Sequence, residues 1–262
     1  DSISRITTRC PFSDGVVAPR LAEFASEPAV GFVIVDELFG LRVPLQFAAE
    51  SERDDSEMAD CRRAVADFGF ADRGLARLDA IEEVVHNIPL FEDEMARVIT
   101  ATVNGVRVVG AYFPNGQAPD SDKFAYKMNW LTALEQWLQT EMVQHPKLVL
   151  MGDFNITWDD ADVWDPVALA DTIHCTKEER AHFKALLDLG MVDAFRLFAQ
   201  AEKSFSWWDY REFAFRRNRG LRIDHILVSN ALKGQVRACV IDKLPRKNER
   251  PSDHTPVVVI LN

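Results

Sequence analysis

The chain has 262 residues, a hydrophobic fraction of 47% and a formal net charge of −11. This length fits one large domain or two small ones, and the sequence has no apolar run of roughly 18 residues, so no membrane partner is predicted. The opening ten residues, DSISRITTRC, do not predict a secretory signal. The four cysteines lack paired spacing, which argues against structural zinc and favours a reducing, cytoplasmic location.

The charge is unevenly distributed along the chain. Residues 1–100 carry 20 acidic and 10 basic side chains, whereas residues 201–262 carry 7 acidic and 12 basic ones. A basic region of an acidic protein can still bind a phosphate backbone, because the local electrostatic potential determines the interaction. A solvated face without a partner is the alternative.

The first third of the chain gives few clear signals. Residues 32–35 predict a buried strand that ends at Asp36 and Glu37, and residues 50–62 predict a solvated helix or loop. No internal repeat, low-complexity tract or linker is evident. A single domain over residues 1–262 is therefore the expected organisation.

The pattern becomes clearer from residue 101 onward. Asn104-Gly105 is a two-residue turn signal and predicts a hairpin whose second strand ends at Tyr112. Thr176 and Glu179 have the spacing of a capping box. Between the Asn104-Gly105 turn and this capping box, apolar residues recur at helical spacing and predict a helix: Phe124, Met128, Leu131, Leu134, Leu138 and Met142. Gly190 predicts the end of the helix that follows the capping box.

The stretch KLVLMGDFN, residues 147–155, contains a short apolar run that ends abruptly. Its four large apolar residues predict a strand buried on both faces. Asp153 and Asn155 are two residues apart, so their side chains are expected on the same side of the strand end. An ordinary turn explains Gly, Asp and Asn equally well.

Three later segments also predict strands: the short aromatic FSWWDY, then LRIDHILVS and HTPVVVILN. The strand ends share acids, an amide or a histidine, namely Asp36-Glu37, Asp153 with Asn155, Asp224-His225 and Asp253-His254. Hard oxygen ligands suit Mg²⁺, and a histidine beside an acid suits proton transfer. Turns and ion pairs are the alternatives, and an NTPase is disfavoured because no GxxxxGK[ST] loop occurs.

The motifs GDFN, LRIDHILVS and PSDHTPV resemble those of the endonuclease/exonuclease/phosphatase superfamily. The segments YFPNG, FSWWDYR and NRGLRIDHILVS are similar to those of exonuclease III-type DNA-repair nucleases, the AP endonuclease family, and the similarity runs from about Val98 to the C-terminus. The resemblance implies an α/β (α+β) fold, a four-layer sandwich of two packed mixed β-sheets flanked by helices. It also implies a Mg²⁺-dependent phosphodiesterase, with Mn²⁺ as an alternative metal.

The resemblance also implies roles for individual residues. The catalytic group is expected to comprise Tyr112, Asp153, Asn155, Asp224 and His254. Glu37 and Asp253 are expected near the metal, and Asn115 is expected to hold the scissile phosphate together with Tyr112. Asp153 would activate the water or protonate the leaving oxygen, and His254 would pair with Asp224.

Double-stranded DNA with an abasic site or a 3′ end is the expected partner. Five arginines lie within twelve residues beside a tryptophan pair, and the residues predicted to contact DNA are Trp207, Trp208, Arg216, Arg217 and Arg222. Lys243, Arg246, Lys247 and Arg250 are expected to extend this basic surface. A hydrophobic strand followed by a solvated loop is the alternative.

His174 precedes the capped helix, in the loop that borders the sugar pocket of the family. An imidazole there would fill room that a flipped-out abasic sugar needs. The resemblance therefore implies that 3′→5′ exonuclease or 3′-end processing is favoured over cleavage at abasic sites. A solvent-facing loop histidine is the alternative.

The first third departs from the family pattern. Cys10 and Phe12 stand where the resemblance places amides that orient the metal ligands, and Asp72-Arg73-Gly74 replaces a Tyr-Asn-Gly core. The favoured prediction is a monomeric, Mg²⁺-dependent phosphodiesterase of DNA base-excision repair. A family member without catalysis that only binds DNA is the first alternative. A relative that cleaves a lipid or inositol phosphate is the second, disfavoured by the tryptophan pair and the arginine cluster.

Overall fold

The computed structural model describes the backbone of residues 31–35, and residues 82–247 and 249–261. Residues 50–62 and the predicted strand end at Asp36 and Glu37 lie outside this part. Nine strands lie within the described ranges: β1 (Gly31–Val35), β2 (Glu82–His86), β3 (Val98–Val103), β4 (Val106–Tyr112), β5 (Leu148–Asp153), β6 (Met191–Asp193), β7 (Asp224–Ser229), β8 (Val236–Ile241) and β9 (Val257–Leu261). The helices are α1 (Asp122–Gln144), α2 (Lys177–Asp188) and the short α3 (Asn230–Lys233).

The strands form two sheets. The larger sheet has the order β2-β3-β4-β5-β7-β6, and the smaller one has the order β1-β9-β8. Strands β4 and β5 are parallel, and the other pairs of the larger sheet are antiparallel. The larger sheet is therefore mixed, whereas the described pairs of the smaller sheet are all antiparallel.

Local sequence signals produce the elements that were predicted. Asn104 and Gly105 have φ of 52° and 73°, the left-handed conformations that a two-residue hairpin turn requires. Thr176 caps α2, and Glu179 completes the capping box. Gly190 follows that helix with φ of 99°, so the predicted hairpin, capped helix and helix end are confirmed.

The larger sheet is covered on both faces. Helices α1 and α2 pack on one face, where Leu134 and Phe183 belong to the same core as Leu150 of β5. The smaller sheet packs on the other face, where Val149 of β5 belongs to a second core with Val259 of β9. Every residue of β5 is buried, as its uninterrupted apolar run predicts.

The α/β class and the two packed sheets are confirmed. The prediction of a fourth, helical layer on the outer face of the smaller sheet concerns residues outside the described part. The predicted FSWWDY strand is wrong, because Trp207 forms only isolated bridges, to Leu221 and to His254. No helix within the described ranges combines the length and apolarity that a membrane crossing needs.

Candidate active site

Three adjacent strands bring polar side chains to one edge of the larger sheet. Tyr112 at the end of β4 pairs with Asp153 at the end of β5, and Asp153 pairs with Asp224 at the start of β7. The three residues therefore stand in a single row across the sheet. This row is the floor of the candidate site.

Gly152 explains why the apolar run of β5 stops where it does. Its φ is 142°, and a Cβ atom added there would lie 1.9 Å from the carbonyl oxygen of Ala111 on β4. Only glycine permits this conformation together with so close an approach. The glycine thus places Asp153 beside Tyr112 at the sheet edge.

Asp153 is held by hydrogen bonds from Asn155, two residues later in the chain. Its Oδ1 accepts the backbone N–H of Asn155 at 2.9 Å, and its Oδ2 accepts the Asn155 side-chain amide at 3.0 Å. Asn155 Oδ1 accepts a hydrogen bond from Nδ2 of the exposed Asn115 at 3.1 Å. Asn155 is therefore hydrogen-bonded to both Asp153 and Asn115, and the three predicted residues form one hydrogen-bonded group.

His254 and Asp224 form the predicted pair. The imidazole Nδ1 lies 3.0 Å from Asp224 Oδ2 and 3.1 Å from its Oδ1. A carboxylate can only accept, so Nδ1 carries the proton and Nε2 is left as the nitrogen that can exchange one. Ser206 fixes the backbone of Asp224, because its hydroxyl accepts the Asp224 backbone N–H at 3.1 Å.

Trp207 contacts the loop that carries His254. Its indole Nε1 donates to Asp253 Oδ2 at 2.9 Å. The backbone N–H of Trp208 donates to the carbonyl of Asp253 at 3.0 Å, and that of Thr255 donates to Ser206 at 2.8 Å. Residues 206–208 therefore fix the position of Asp253, the carboxylate predicted to lie near the metal.

His174 lies against the same group instead of facing solvent. Its Nδ1 donates to the carbonyl of Asn155 at 2.7 Å, and its backbone N–H donates to Glu179 at 3.2 Å. Burial, reinforced by the charge of Lys127, lowers the pKa of His174 to about 4. The imidazole is therefore neutral near pH 7, with Nδ1 as its protonated nitrogen.

The structure divides the predicted DNA-contacting residues into two groups. Arg216 and Arg217 are exposed, as a phosphate contact requires. Trp208 is 0% exposed, and its indole Nε1 donates to Asn218. Its predicted DNA contact is wrong, because a core tryptophan cannot reach a nucleotide. The exposed aromatic rings of this loop are Tyr210 and Phe213, which sequence analysis missed.

Arg222 requires the same correction, because its side chain is buried. Its guanidinium donates to Asp162 at 2.6 Å and 3.0 Å and to Asp193 at 2.7 Å. Burial acts to lower the pKa of Arg222, but the two carboxylates outweigh it and raise the pKa. Arg246 is likewise buried, over the rings of Trp208 and Phe215. Both arginines stabilise the fold and are not available to DNA.

His225, which follows Asp224 in the sequence, is a core residue. Its Nε2 donates to the carbonyl of Ile156 at 2.8 Å, and its ring packs against Phe154 and Phe183. Its buried Nδ1 has no hydrogen-bond partner among the described residues. Burial, with the charge of Arg222, lowers the pKa of His225 to about 4.

The lowered pKa of His225 should make the stability of the protein depend on pH. Between pH 6.5 and about 4 the unfolded chain binds a proton that folded His225 does not, so acidification lowers the free energy of unfolding, by roughly 3 kcal/mol for this group. His225→Gln should flatten the dependence, measured by urea unfolding at pH 7 and pH 4.5. His174 titrates in both proteins and cancels in the comparison. Identical pH dependence in the two proteins would contradict the assignment.

The oxygen donors at the site have the chemistry that Mg²⁺ prefers. Asp253 supplies a carboxylate next to His254, and Mg²⁺ typically takes one or two carboxylates together with water and substrate phosphates. The described residues contain no group of three or more His, Cys, Asp or Glu side chains arranged to hold an ion. The predicted ligand Glu37 lies outside the described part. The Asp253 carboxylate, whose Oδ2 accepts the indole N–H of Trp207, has the chemistry of a Mg²⁺ ligand.

The chain belongs to the Endonuclease/Exonuclease/phosphatase family, whose model matches residues 75–254. Among curated relatives, exodeoxyribonuclease III of Haemophilus influenzae is 37% identical over 182 residues, covering 63% of this chain and 67% of its own length. The predicted enzyme class, a DNA-hydrolysing enzyme similar to exodeoxyribonuclease III, is confirmed.

Solved structures agree with this assignment. A 3′ phosphatase from Neisseria, bound to a product DNA hairpin, superposes with a TM-score of 0.68 at 45% identity, covering 70% of this chain and 72% of that one. An AP endonuclease from Archaeoglobus fulgidus gives a TM-score of 0.69 at 26% identity and covers 94% of this chain and 93% of its own. Exonucleases, 3′ phosphatases and AP endonucleases thus share this fold.

Proposed function

We propose that the protein is a Mg²⁺-dependent phosphodiesterase of DNA base-excision repair that acts preferentially on 3′ ends. The observation that carries the proposal is the single edge where Tyr112 and Asp153 meet the Asp224–His254 pair. A carboxylate, a phenol and an oriented imidazole suffice for proton transfer and charge stabilisation at a phosphodiester. We expect the active form to be a monomer with one domain over residues 1–262, located in the cytoplasm.

The proposed reaction is in-line attack of water on phosphorus, which breaks the bond between phosphorus and the 3′ oxygen opposite; this oxygen leaves as a hydroxyl after taking a proton from solvent. Asp153, oriented by both donors of Asn155, takes the proton of the attacking water. Asn115 and Tyr112 hold the scissile phosphate at the sheet edge. His254, as an imidazolium with a second proton on Nε2, donates from Nε2 to a phosphoryl oxygen, and Asp224 stabilises the imidazolium charge through Nδ1.

The metal would be held by Asp253 together with Glu37. A bound Mg²⁺ supplies positive charge at the phosphoryl oxygens as negative charge develops there. Trp207 keeps the Asp253 carboxylate oriented through its 2.9 Å hydrogen bond. Orientation of a metal ligand by such a donor typically affects metal affinity about 10–100-fold.

DNA is the proposed substrate because exposed cations and aromatics share the loop beside the site. Arg216 and Arg217 are placed to contact phosphates, and Tyr210 and Phe213 offer rings for stacking or wedging. The related Neisseria 3′ phosphatase was solved with a product DNA hairpin. The relatives also include AP endonucleases, so the preference for 3′ ends rests on His174 in this chain.

Cleavage of one labelled duplex tests the proposal. The duplex carries an internal abasic-site analogue and a recessed 3′ end, and is incubated with Mg²⁺ or with EDTA. Mg²⁺-dependent shortening from the 3′ end with little internal cutting is the expected result. Dominant internal cutting would overturn the 3′ preference. Binding without cleavage at any Mg²⁺ or Mn²⁺ concentration would favour a DNA-binding protein that has lost catalysis.

His174→Gly should raise the ratio of internal to 3′-terminal cleavage by about tenfold. Removing the imidazole opens the space beside Asn155, and differences of this size are typical when a pocket gains room for a sugar. His174 has φ of 71°, which glycine adopts without strain, so the loop keeps its conformation. The same duplex gives both rates, and an unchanged ratio would refute the role of His174.

A further inference from the structure

Helix α1 carries a charged residue on the face that it buries. Lys127 is 0% exposed and lies between Phe124 and Leu131 on the same face. Its ammonium pairs at 2.5 Å with Glu179, which is also 0% exposed. Burying both charges is costly, and burial lowers the pKa of Lys127 despite the opposing effect of Glu179. Core packing alone would be served better by an apolar side chain.

The contacts of the ammonium indicate what the lysine does. Besides Glu179, Nζ donates to the carbonyl of Asn155 at 2.8 Å and to that of Asn115 at 3.3 Å. An ammonium has three protons, so each of its donors has a partner. Lys127 therefore joins the end of β5, the loop after β4 and the start of α2 behind the site.

We propose that Lys127 is a positioning residue for catalysis, which fixes the main chain at Asn115 and Asn155 and thereby aims Asp153. The inference rests on the proposed phosphodiesterase function. Asn155 has φ of 51°, a left-handed conformation that a non-glycine residue adopts at a cost. Lys127 and His174 both donate to its carbonyl, and its N–H donates to Asp153. The ammonium thus stabilises the backbone conformation from which Asp153 is oriented.

A purely structural lysine, present only to neutralise Glu179, makes a different prediction. In that case Lys127→Met with Glu179→Gln removes both charges together and should restore a normal site. If Lys127 positions Asn155 and Asn115, the double variant folds but keeps a low kcat. Glu179→Gln alone is the matched control, because it carries the shared substitution, glutamine also suits a capping box, and Lys127 keeps both carbonyl acceptors. Since it leaves the buried ammonium without a carboxylate, the two variants are compared at a temperature where urea unfolding shows both to be folded.

The kinetic test compares these two proteins on the 3′-recessed duplex. The double variant is expected to have a kcat about 10²-fold below that of Glu179→Gln, as misplacement of a catalytic group by about 1 Å can produce. The Kd for DNA, measured in EDTA, should change less than threefold, because Lys127 is buried away from the surface. A kcat within threefold of the control would overturn the proposal.

Hydrogen exchange provides a measurement that does not depend on cleavage. The backbone N–H of Asn155 is protected by Asp153 Oδ1, so peptides containing it should exchange at least tenfold faster in the double variant than in the control. Peptides from β3 should be unaffected. Equal exchange at Asn155 would overturn the positioning role. If the wild-type protein failed to cleave DNA, the proposed function would fail while the exchange result would still test Lys127.

Discussion

Asp153→Asn is expected to lower kcat for cleavage of the 3′-recessed duplex by about 10³-fold, within the range for loss of a general acid or base. Asparagine has the shape of aspartate but cannot take the proton of the attacking water. Its carbonyl oxygen can still accept the Asn155 backbone N–H, whereas its amide nitrogen cannot accept from Asn155 Nδ2. Asn155 Nδ2 keeps its bond to the carbonyl of Phe113, so the strand end should keep its conformation. Single-turnover rates at saturating enzyme measure the effect on chemistry directly.

The control for this variant is Asp160→Asn, at an exposed residue that pairs with Arg180 outside the bonded site group. It should cleave at the wild-type rate. The Asp153→Asn protein should still bind the duplex in EDTA and unfold at a temperature close to that of the wild type. Full activity of Asp153→Asn would refute the mechanism, whatever the control does.

Arg222→Met is expected to destabilise the protein by about 3–5 kcal/mol, because it leaves Asp162 and Asp193 as buried carboxylates without their shared cation. Arg196 also pairs with Asp162 but is partly exposed and does not replace the lost charge at Asp193. Urea unfolding monitored by tryptophan fluorescence gives the difference in free energy.

Arg216→Met separates this structural role from DNA binding. Arg216 is exposed, so its loss should leave stability within about 0.5 kcal/mol of the wild type. It should weaken DNA binding and reduce the slope of log K against log salt by about 1. Arg222→Met should leave that slope unchanged at temperatures where it is folded. If Arg222→Met reduced the salt slope and Arg216→Met did not, Arg222 would belong to the DNA interface.

Sequence patterns predicted the site where local chemistry determines it. The end of β5 could be inferred because Gly152, Asp153 and Asn155 follow an apolar run, and the register of the sheet then brings Tyr112 and Asp224 beside Asp153. The hairpin turn and the caps of α2 are likewise encoded by adjacent residues. These features depend on few long-range contacts.

The errors concern residues whose surroundings come from distant parts of the chain. Nothing next to Arg222 in the sequence identifies Asp162, sixty residues away, as its partner. Trp208 is covered in a similar way, since Arg246 approaches it from another loop. A segment rich in arginine and tryptophan resembles a DNA surface whether its members point outward or inward.

Two buried charges on α1 could have been noticed in the sequence. Lys127 and Glu141 both fall on the apolar stripe of α1, three residues after Phe124 and Leu138 respectively. A charged residue on that stripe predicts a buried partner, and Arg107 and Glu179 provide these partners. The pattern predicts that a partner exists, but the tertiary fold determines which residue it is.

Because Tyr112, Asp153 and Asp224 stand in one row of strand pairing, the site is sensitive to chain length as well as to side-chain chemistry. Inserting one residue within β4 or β5 would turn the terminal side chain of that strand to the opposite face of the sheet. The Asn104-Gly105 turn lies at the other end of β4, where a longer loop leaves the row intact. A residue inserted at this turn should therefore be tolerated better than one inserted within β4 or β5.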